Sequence, residues 1–162
     1  MYQWVLFIHI LAAFGFAMTH GASAIVAFRL RRETNPERIV ALLDLSSSVF
    51  SWMYISLLII LLGGITLGFL GEWWGQIWIW LVLVVIVAKF AAMSMMGARS
   101  FAKVRKAAGL PYFEGTKSQP AIPPASPEEI AKVAATVNPL PIAIVGYGGL
   151  VVMLWLMAFK PF

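Results

Sequence analysis

Hydrophobic residues fall in four long runs separated by shorter polar segments. The runs cover about residues 2–28, 49–70, 76–96 and 141–159. A helix needs roughly 20 mostly apolar residues to cross the hydrocarbon core of a bilayer. Backbone polar groups in lipid must be hydrogen-bonded within the segment, so each run is predicted to be helical. The pattern predicts an all-α fold, an integral membrane four-helix bundle forming a single membrane domain over residues 1–162.

Composition agrees with this pattern. The chain is 61% hydrophobic and only 12% charged, and its mean hydropathy is +0.87. Soluble domains carry about 25% charged residues, and a soluble fold of this composition would expose large apolar patches to water. The absence of cysteine excludes thiolate metal sites and cysteine nucleophiles. The net charge of +5 comes mainly from residues in the connections, and these connections contain no nucleic-acid-binding motif. No nucleic acid partner is therefore predicted.

Lysine and arginine are concentrated in two of the three connections. The first connection holds Arg29, Arg31, Arg32 and Arg38, and the third, about residues 97–140, holds Arg99, Lys103, Arg105, Lys106, Lys117 and Lys132. The second is short and holds only the acidic Glu72. Short loops rich in Lys and Arg stay in the cytoplasm. Both termini are therefore predicted to lie outside the cytoplasm. The predicted location of this multi-pass protein is the cell membrane, as in a bacterial inner membrane.

Aromatic residues fit the same orientation. They cluster near the predicted outer interface, at Tyr2, Trp4, Trp73, Trp74, Trp78, Trp155 and Phe159. Tryptophan and tyrosine favour that layer because their rings are amphipathic.

The cytoplasmic connections are predicted to contain short helices. Asn35 is suited to an N-cap, with Pro36 as the first helical residue of a helix at the membrane surface or leading into the second span. The third helix is predicted to continue past the membrane, followed by an extended proline-rich stretch over residues 119–127. Ser126 and Glu129 form a capping-box pattern that opens a helix running to about Val137.

The two histidines are the first candidates for chemistry. His9 and His20 lie in the first run, eleven residues apart. On a helix this spacing is three turns plus about 20°, so the rings share a face but lie about 16 Å apart along the axis. They cannot ligate the same iron or copper ion, although each could ligate a separate haem b or copper. The alternative is that each histidine bonds a neighbour within the bundle.

Lys89 is the one lysine inside an apolar run. A lysine at this depth is costly unless it is paired or reaches the interface. Its alternatives are snorkelling to the cytoplasmic surface, or binding an anionic lipid, a haem propionate or a carboxylate of another chain. No Asp or Glu lies inside the four runs, which argues against a proton-coupled or cation-coupled transporter.

Methionines near the inner end of the third run form a second candidate metal site. Met93 and Met96 share a helical face at i, i+3 spacing, and thioethers are soft ligands for Cu(I). The alternative is ordinary packing, since methionine is a flexible filler of helical interfaces.

Glycines in the second and last runs predict close helix packing. Gly63, Gly64 and Gly68 in one run, and Gly146, Gly148 and Gly149 in the other, follow small-residue patterns that let helices approach each other.

The segment from Trp4 through His9 to His20 and Gly21 resembles the first span of the CopD-like membrane domains of copper-resistance proteins. The hydropathy profile also resembles that of cytochrome b-type bundles. These resemblances imply copper handling or transmembrane electron transfer. The chain departs from the haem proteins because it lacks paired histidines on facing helices.

No nucleophile triad, paired carboxylate site or phosphate loop is present, so an enzyme is not predicted. The leading hypothesis is a non-enzymatic subunit or scaffold of a membrane complex, surrounded by lipid and partnered by other membrane subunits or a second copy. The alternative is a haem- or copper-binding membrane protein that uses His9 and His20, with Lys89 beside the cofactor. In that alternative Met93 and Met96 are further candidate metal ligands.

Overall fold

Helices dominate the computed structural model, which describes residues 1–161. Four of them are long and apolar enough to cross a membrane, as the hydrophobic runs predict. The elements in chain order are α1 (Tyr2–Leu30), α2 (Pro36–Leu70), a 3₁₀ turn (Trp73–Gly75), α3 (Ile77–Ala107), β1 (Tyr112–Glu114), β2 (Lys117–Gln119), α4 (Pro127–Ala135) and α5 (Pro139–Phe159).

Helix α2 begins well before the second apolar run. The side chain of Asn35 accepts hydrogen bonds from the backbone N–H groups of Glu37 and Arg38, at 2.9 and 3.2 Å, which confirms the predicted N-cap. The helix then continues unbroken to Leu70, so of the two predicted alternatives the capped helix leads directly into the second apolar run. Hydropathy marks only the apolar part of such a helix, whereas a capped polar segment can extend the same helix beyond it.

Helix α3 continues beyond the third apolar run to Ala107, as predicted, but its geometry changes on the way. Residues Ser94–Ala98 form a π-helical turn. A π-helical turn inserts extra backbone into the helix and often lies at a functional site. It also rotates every later side chain away from the position that α-helical spacing predicts.

The third connection is folded, and it contains a β-hairpin that the all-α prediction omits. Strands β1 and β2 pair antiparallel around a turn in which Gly115 has a φ of +63°. Strands of three residues are too short to show the alternation by which strands are recognised in a sequence. The predicted N-cap at Ser126 is confirmed, because Ser126 Oγ accepts from the Glu129 N–H at 3.3 Å; this is one of the two bonds of a capping box.

A hydrophobic core lies at the end of the molecule that carries the basic connections, which we call the basic end. Its buried members come from α1, α2, α3, α4 and the residues after α4, and are Val26, Ala27, Leu30, Ile39, Leu43, Phe101, Val104, Ala108, Ile130, Ala134 and Val137. Arg105 braces this core from outside. Its Nη1 donates to Ser47 Oγ at 2.8 Å, and its Nε donates to the Pro111 carbonyl at 2.7 Å.

The four long helices are arranged as two pairs. Helix α1 packs along α2, and α3 packs along α5. The pairs meet mainly where α1 contacts α5, whereas α2 and α3 make almost no direct contact between the tryptophan-rich end (Trp73, Trp74 and Trp78) and the basic end. A space therefore remains between the two pairs, with a gap along its α2–α3 side.

Candidate functional site

The space between the helix pairs is a cavity of about 180 Å³. Side chains of α1, α2, α3 and α5 line it, and most of them are apolar. The polar side chains on its wall are His9, His20, Ser23, Tyr54, Lys89 and Ser94. Both histidines and the lysine singled out from the sequence thus line one cavity, and the two histidines do so from the common face of α1 that their eleven-residue spacing predicts.

His9 is buried against a pair of glycines on α2. A Cβ atom at Gly63 or Gly64 would lie 3.3 Å from the His9 side chain, so these two positions must be small for the ring to fit. The prediction that they allow close packing is confirmed. Nδ1 of His9 is buried without a hydrogen-bond partner among the residues that the structure describes.

His20 forms the contact between the two helix pairs. Its ring is parallel to that of Phe16, with centroids 6.0 Å apart, and meets the Tyr147 ring edge-on at 5.4 Å. Nε2 of His20 lies directly against Gly146, where a Cβ atom would overlap the imidazole. Gly146 is therefore a close-packing position, as predicted, whereas Gly148 faces open space and is not.

Lys89 points into the cavity and does not snorkel. Its side chain is buried, with an exposed fraction of 8%, and its Nζ lies 4.8 Å from the centroid of the Phe16 ring. The absence of a side chain at Gly149 explains this path, because a Cβ there would come within 3.0 Å of Lys89 Cδ. The snorkelling alternative is wrong because α5 offers a groove that leads the lysine inward.

The Lys89 ammonium has no hydrogen-bond partner among residues 1–161. Its cation–π contact with Phe16 is worth about 0.5–2 kcal/mol. Removing an ammonium from water costs several kcal/mol even after relaxation of the surroundings. The contact with the ring therefore offsets only part of the cost, and the charge lacks a counter-ion within the described chain.

Phe16, His20 and Lys89 form one cluster, which we call the Lys89 cluster. Phe16 joins it, since one ring contacts both the imidazole and the ammonium. A metal cation at His20 would be repelled by the ammonium, and Nε2 is covered by Gly146. The cluster suits an anion better than a metal ion.

His9 has different neighbours, about 16 Å from His20 along the helix. Met153 and Met157 of α5 line the same cavity, and imidazole with thioether is a ligand set that suits copper or haem iron. Among residues 1–161, no three His, Cys, Asp or Glu side chains converge as a metal site. Metal or haem binding at His9 therefore stays a prediction that rests on the thioethers of the same cavity wall.

Met93 and Met96 do not act together on the cavity. Met93 lines it, and Met96 is not part of its wall. Their predicted common face rests on α-helical spacing, which the π-helical turn beginning at Ser94 interrupts.

The cavity is small for a haem. Pockets that hold drug-sized molecules measure about 300–1,000 Å³, compared with about 180 Å³ here. A haem would require α2 and α3 to stand farther apart than they do in this structure.

The sequence pattern predicts the residues of this site that lie on α1, but it does not predict the residue contributed by α3. It places Phe16 on the histidine face through its spacing of four residues from His20. It does not reveal that Lys89 reaches the same place, because Lys89 belongs to another helix and no sequence signal fixes which helices pair.

Comparisons with protein-family models, with curated proteins and with solved structures found no match to this chain. The resemblance to CopD-like and cytochrome b-type proteins therefore stays a prediction, and the cavity is the feature of this chain that bears on its function.

Replacing Gly146 by alanine should destabilise the contact between the helix pairs. The new methyl group would overlap the His20 ring, and overpacking of this kind costs about 1–3 kcal/mol. We expect the thermal unfolding midpoint in detergent to fall by several degrees, measured by circular dichroism. Gly148→Ala is the matched control, because its methyl group would enter open space and alanine favours helix. Equal midpoints for the two variants would contradict the assigned contact.

Proposed function

We propose that this protein is a multi-pass membrane protein that binds a lipophilic small molecule in the cavity between its two helix pairs. The observation that carries the proposal is the convergence of His9, His20 and Lys89 on one otherwise apolar cavity. Ionisable side chains inside membrane spans are costly and usually functional. Three of them on one wall are better explained by a ligand than by separate packing roles.

The apolar lining supports a lipophilic ligand. Leu57 and Ile60 of α2 face Ile86 of α3 and Leu150 of α5 across the cavity. The α2–α3 side is the one where the helices scarcely touch. With the helices in a bilayer, this gap faces lipid, so a ligand can enter from the membrane without crossing water.

The proposed orientation places the basic end in the cytoplasm and both termini outside. It is supported by the concentration of Lys and Arg in the first and third connections. The exposed apolar surface of the long helices, which includes Phe14, Trp52, Val87 and Val151, would then face lipid acyl chains.

Single cysteines can test this orientation, because the chain contains none. We expect Gly75→Cys, in the second connection, to react in intact cells with a maleimide that does not cross membranes. Thr116→Cys, in the turn of the β-hairpin, should react only after the cells are permeabilised. Labelling of Thr116→Cys in intact cells would reverse the proposed orientation.

Filling the cavity should displace its ligand. Ala13→Phe adds a ring to the cavity wall, whereas Ala91→Phe adds the same ring at an exposed position of α3 that does not line it. We expect small lipophilic molecules extracted from purified wild-type protein and from Ala91→Phe to be near equimolar, and to be lost from Ala13→Phe. The measurement is mass spectrometry of organic extracts. Identical extracts from all three proteins would refute a cavity ligand.

A haem or copper protein is the second candidate, and His9 favours it. His9 shares the cavity wall with Met153 and Met157, so a His–Met ligand set is available from α1 and α5. His9 would hold the metal, and the bound group would supply one-electron transfer. His20 is not required in this arrangement.

An absorption spectrum separates this candidate from the first. Wild-type protein is measured oxidised and dithionite-reduced, with metal analysis of the same sample. If a haem or copper is bound, we expect its band or its stoichiometric metal to disappear in His9→Ala and to persist in His20→Ala. A colourless, metal-free wild-type protein would exclude a resident cofactor and leave the lipophilic ligand.

The hypothesis of a non-enzymatic subunit of a membrane complex also remains a proposal. It is compatible with a bound ligand, because an exposed apolar helix surface can be covered by lipid or by another membrane subunit.

A further inference from the structure

The Lys89 ammonium is the only cation on the wall of the cavity, and it needs an anion. Its side chain is more than nine-tenths buried, and Nζ has no partner within residues 1–161. The side chain lines the cavity, and Nζ itself is covered in this structure, so a rotation of the flexible side chain would bring the ammonium to a ligand in the cavity.

No carboxylate of the described chain supplies that anion. All acidic residues lie outside the four apolar runs: Glu33, Glu37, Asp44, Glu72, Glu114, Glu128 and Glu129. Three of them already face other cations, because Asp44 lies 3.9 Å from Arg105, Glu114 lies 3.3 Å from Lys106, and Glu129 lies 3.9 Å from Lys132. A counter-ion for a charged Lys89 therefore has to come from outside residues 1–161.

The rest of the wall decides what kind of anion fits. Toward the tryptophan-rich end the lining is Leu57, Ile60 and Met153, and toward the basic end it is Phe50, Met93 and Phe101. A small inorganic anion would neutralise Lys89 but leave these apolar surfaces without contacts. An amphiphile satisfies both parts of the site, with an acidic head at the ammonium and a hydrocarbon body along the helices.

The volume limits how much of this amphiphile lies inside the fold. The cavity of about 180 Å³ is smaller than the roughly 300–1,000 Å³ of pockets that enclose drug-sized ligands. One acidic head group and the first part of one chain fit inside it, and the rest of a longer chain would extend through the gap between α2 and α3 into the lipid.

We propose that the cavity binds a single-chain amphiphile with an acidic head group, whose carboxylate or phosphate oxygen accepts a charge-assisted hydrogen bond from Lys89 Nζ. The inference rests on the proposed function and specifies its ligand class. Phe16 is a positioning residue, because its ring holds the ammonium within the cavity. Both head groups accept such a bond, so experiment must separate them.

The test compares head groups on the same chain. Dodecanoate, dodecyl phosphate and dodecanol are titrated calorimetrically into full-length protein in phosphatidylcholine nanodiscs, with protein-free nanodiscs as the blank. We expect one or both anionic compounds to bind wild-type protein about ten-fold or more tightly than dodecanol. A preference between the two identifies carboxylate or phosphate as the head group.

Substitutions assign the preference to Lys89. Lys89→Met keeps the length of the side chain and removes its charge, so we expect it to bind dodecanol as wild type does and to lose the preference for the anion. Lys89→Arg should keep the preference. Lys103→Met removes an exposed lysine from the same helix and should behave like wild type. Circular dichroism confirms that each variant is folded.

The outcomes distinguish this inference from the proposed function. Equal binding of the alcohol and both anions to wild-type protein overturns the acidic head group and leaves a lipophilic-ligand site intact. A preference for the anion that survives in folded Lys89→Met overturns the role of Lys89. Absence of binding by all three compounds overturns this inference, and if Ala13→Phe also leaves the extracted molecules unchanged, the proposed function fails with it.

Discussion

The contact between the His20 ring and Gly146 joins the two helix pairs, and the cavity depends on it. Helices α1 and α5 can approach only because Gly146 has no side chain where the imidazole lies. The same approach sets the ring against Tyr147 of α5, and the four-residue spacing along α1 sets it beside Phe16. On the other side of the molecule α2 and α3 are close at the tryptophan-rich end, where a Cβ atom at Gly68 would lie 3.1 Å from Ile79 Cδ1, and they scarcely touch farther toward the basic end. One tight side and one open side produce a cavity where uniform packing would have closed it.

Contacts at the basic end also hold the two helix pairs together. Its hydrophobic core draws together the ends of α1, α2 and α3 with the short helix α4. Arg105 ties α3 to α2 through Ser47 and to the start of the hairpin through the Pro111 carbonyl. The proline-rich stretch is held as well, because the Ala125 N–H donates to the Ala107 carbonyl at 2.9 Å. The pairs are thus joined at the basic end by a folded connection, and the gap between α2 and α3 is confined to the apolar part of the helices.

Within the cavity, charge and shape separate two regions that the sequence presents as one histidine face. His20 belongs with Lys89, where the ammonium favours an anion and disfavours a metal ion. His9 lies against Gly63 and Gly64 of α2 and shares the cavity wall with the methionines of α5, which makes it the histidine that the haem or copper proposal uses. The haem or copper alternative therefore requires His9 as a ligand, whereas the proposed lipophilic ligand would contact the region of His20 and Lys89. The chemistry of the site follows from neighbours on other helices more than from the histidines themselves.

The sequence by itself determined the four long helices, the Asn35 and Ser126 caps, and the common face of His9, Phe16 and His20. These features are local, since hydropathy, capping and the helical period act within a few turns of chain. Only the tertiary structure decided that Lys89 points toward the interior and that Gly146, not Gly148, contacts α1. It also decided that Met93 lines the cavity whereas Met96 does not. Each of these depends on which helices pair and on a π-helical turn, and apolar helices of similar hydropathy carry no sequence signal that distinguishes one neighbour from another.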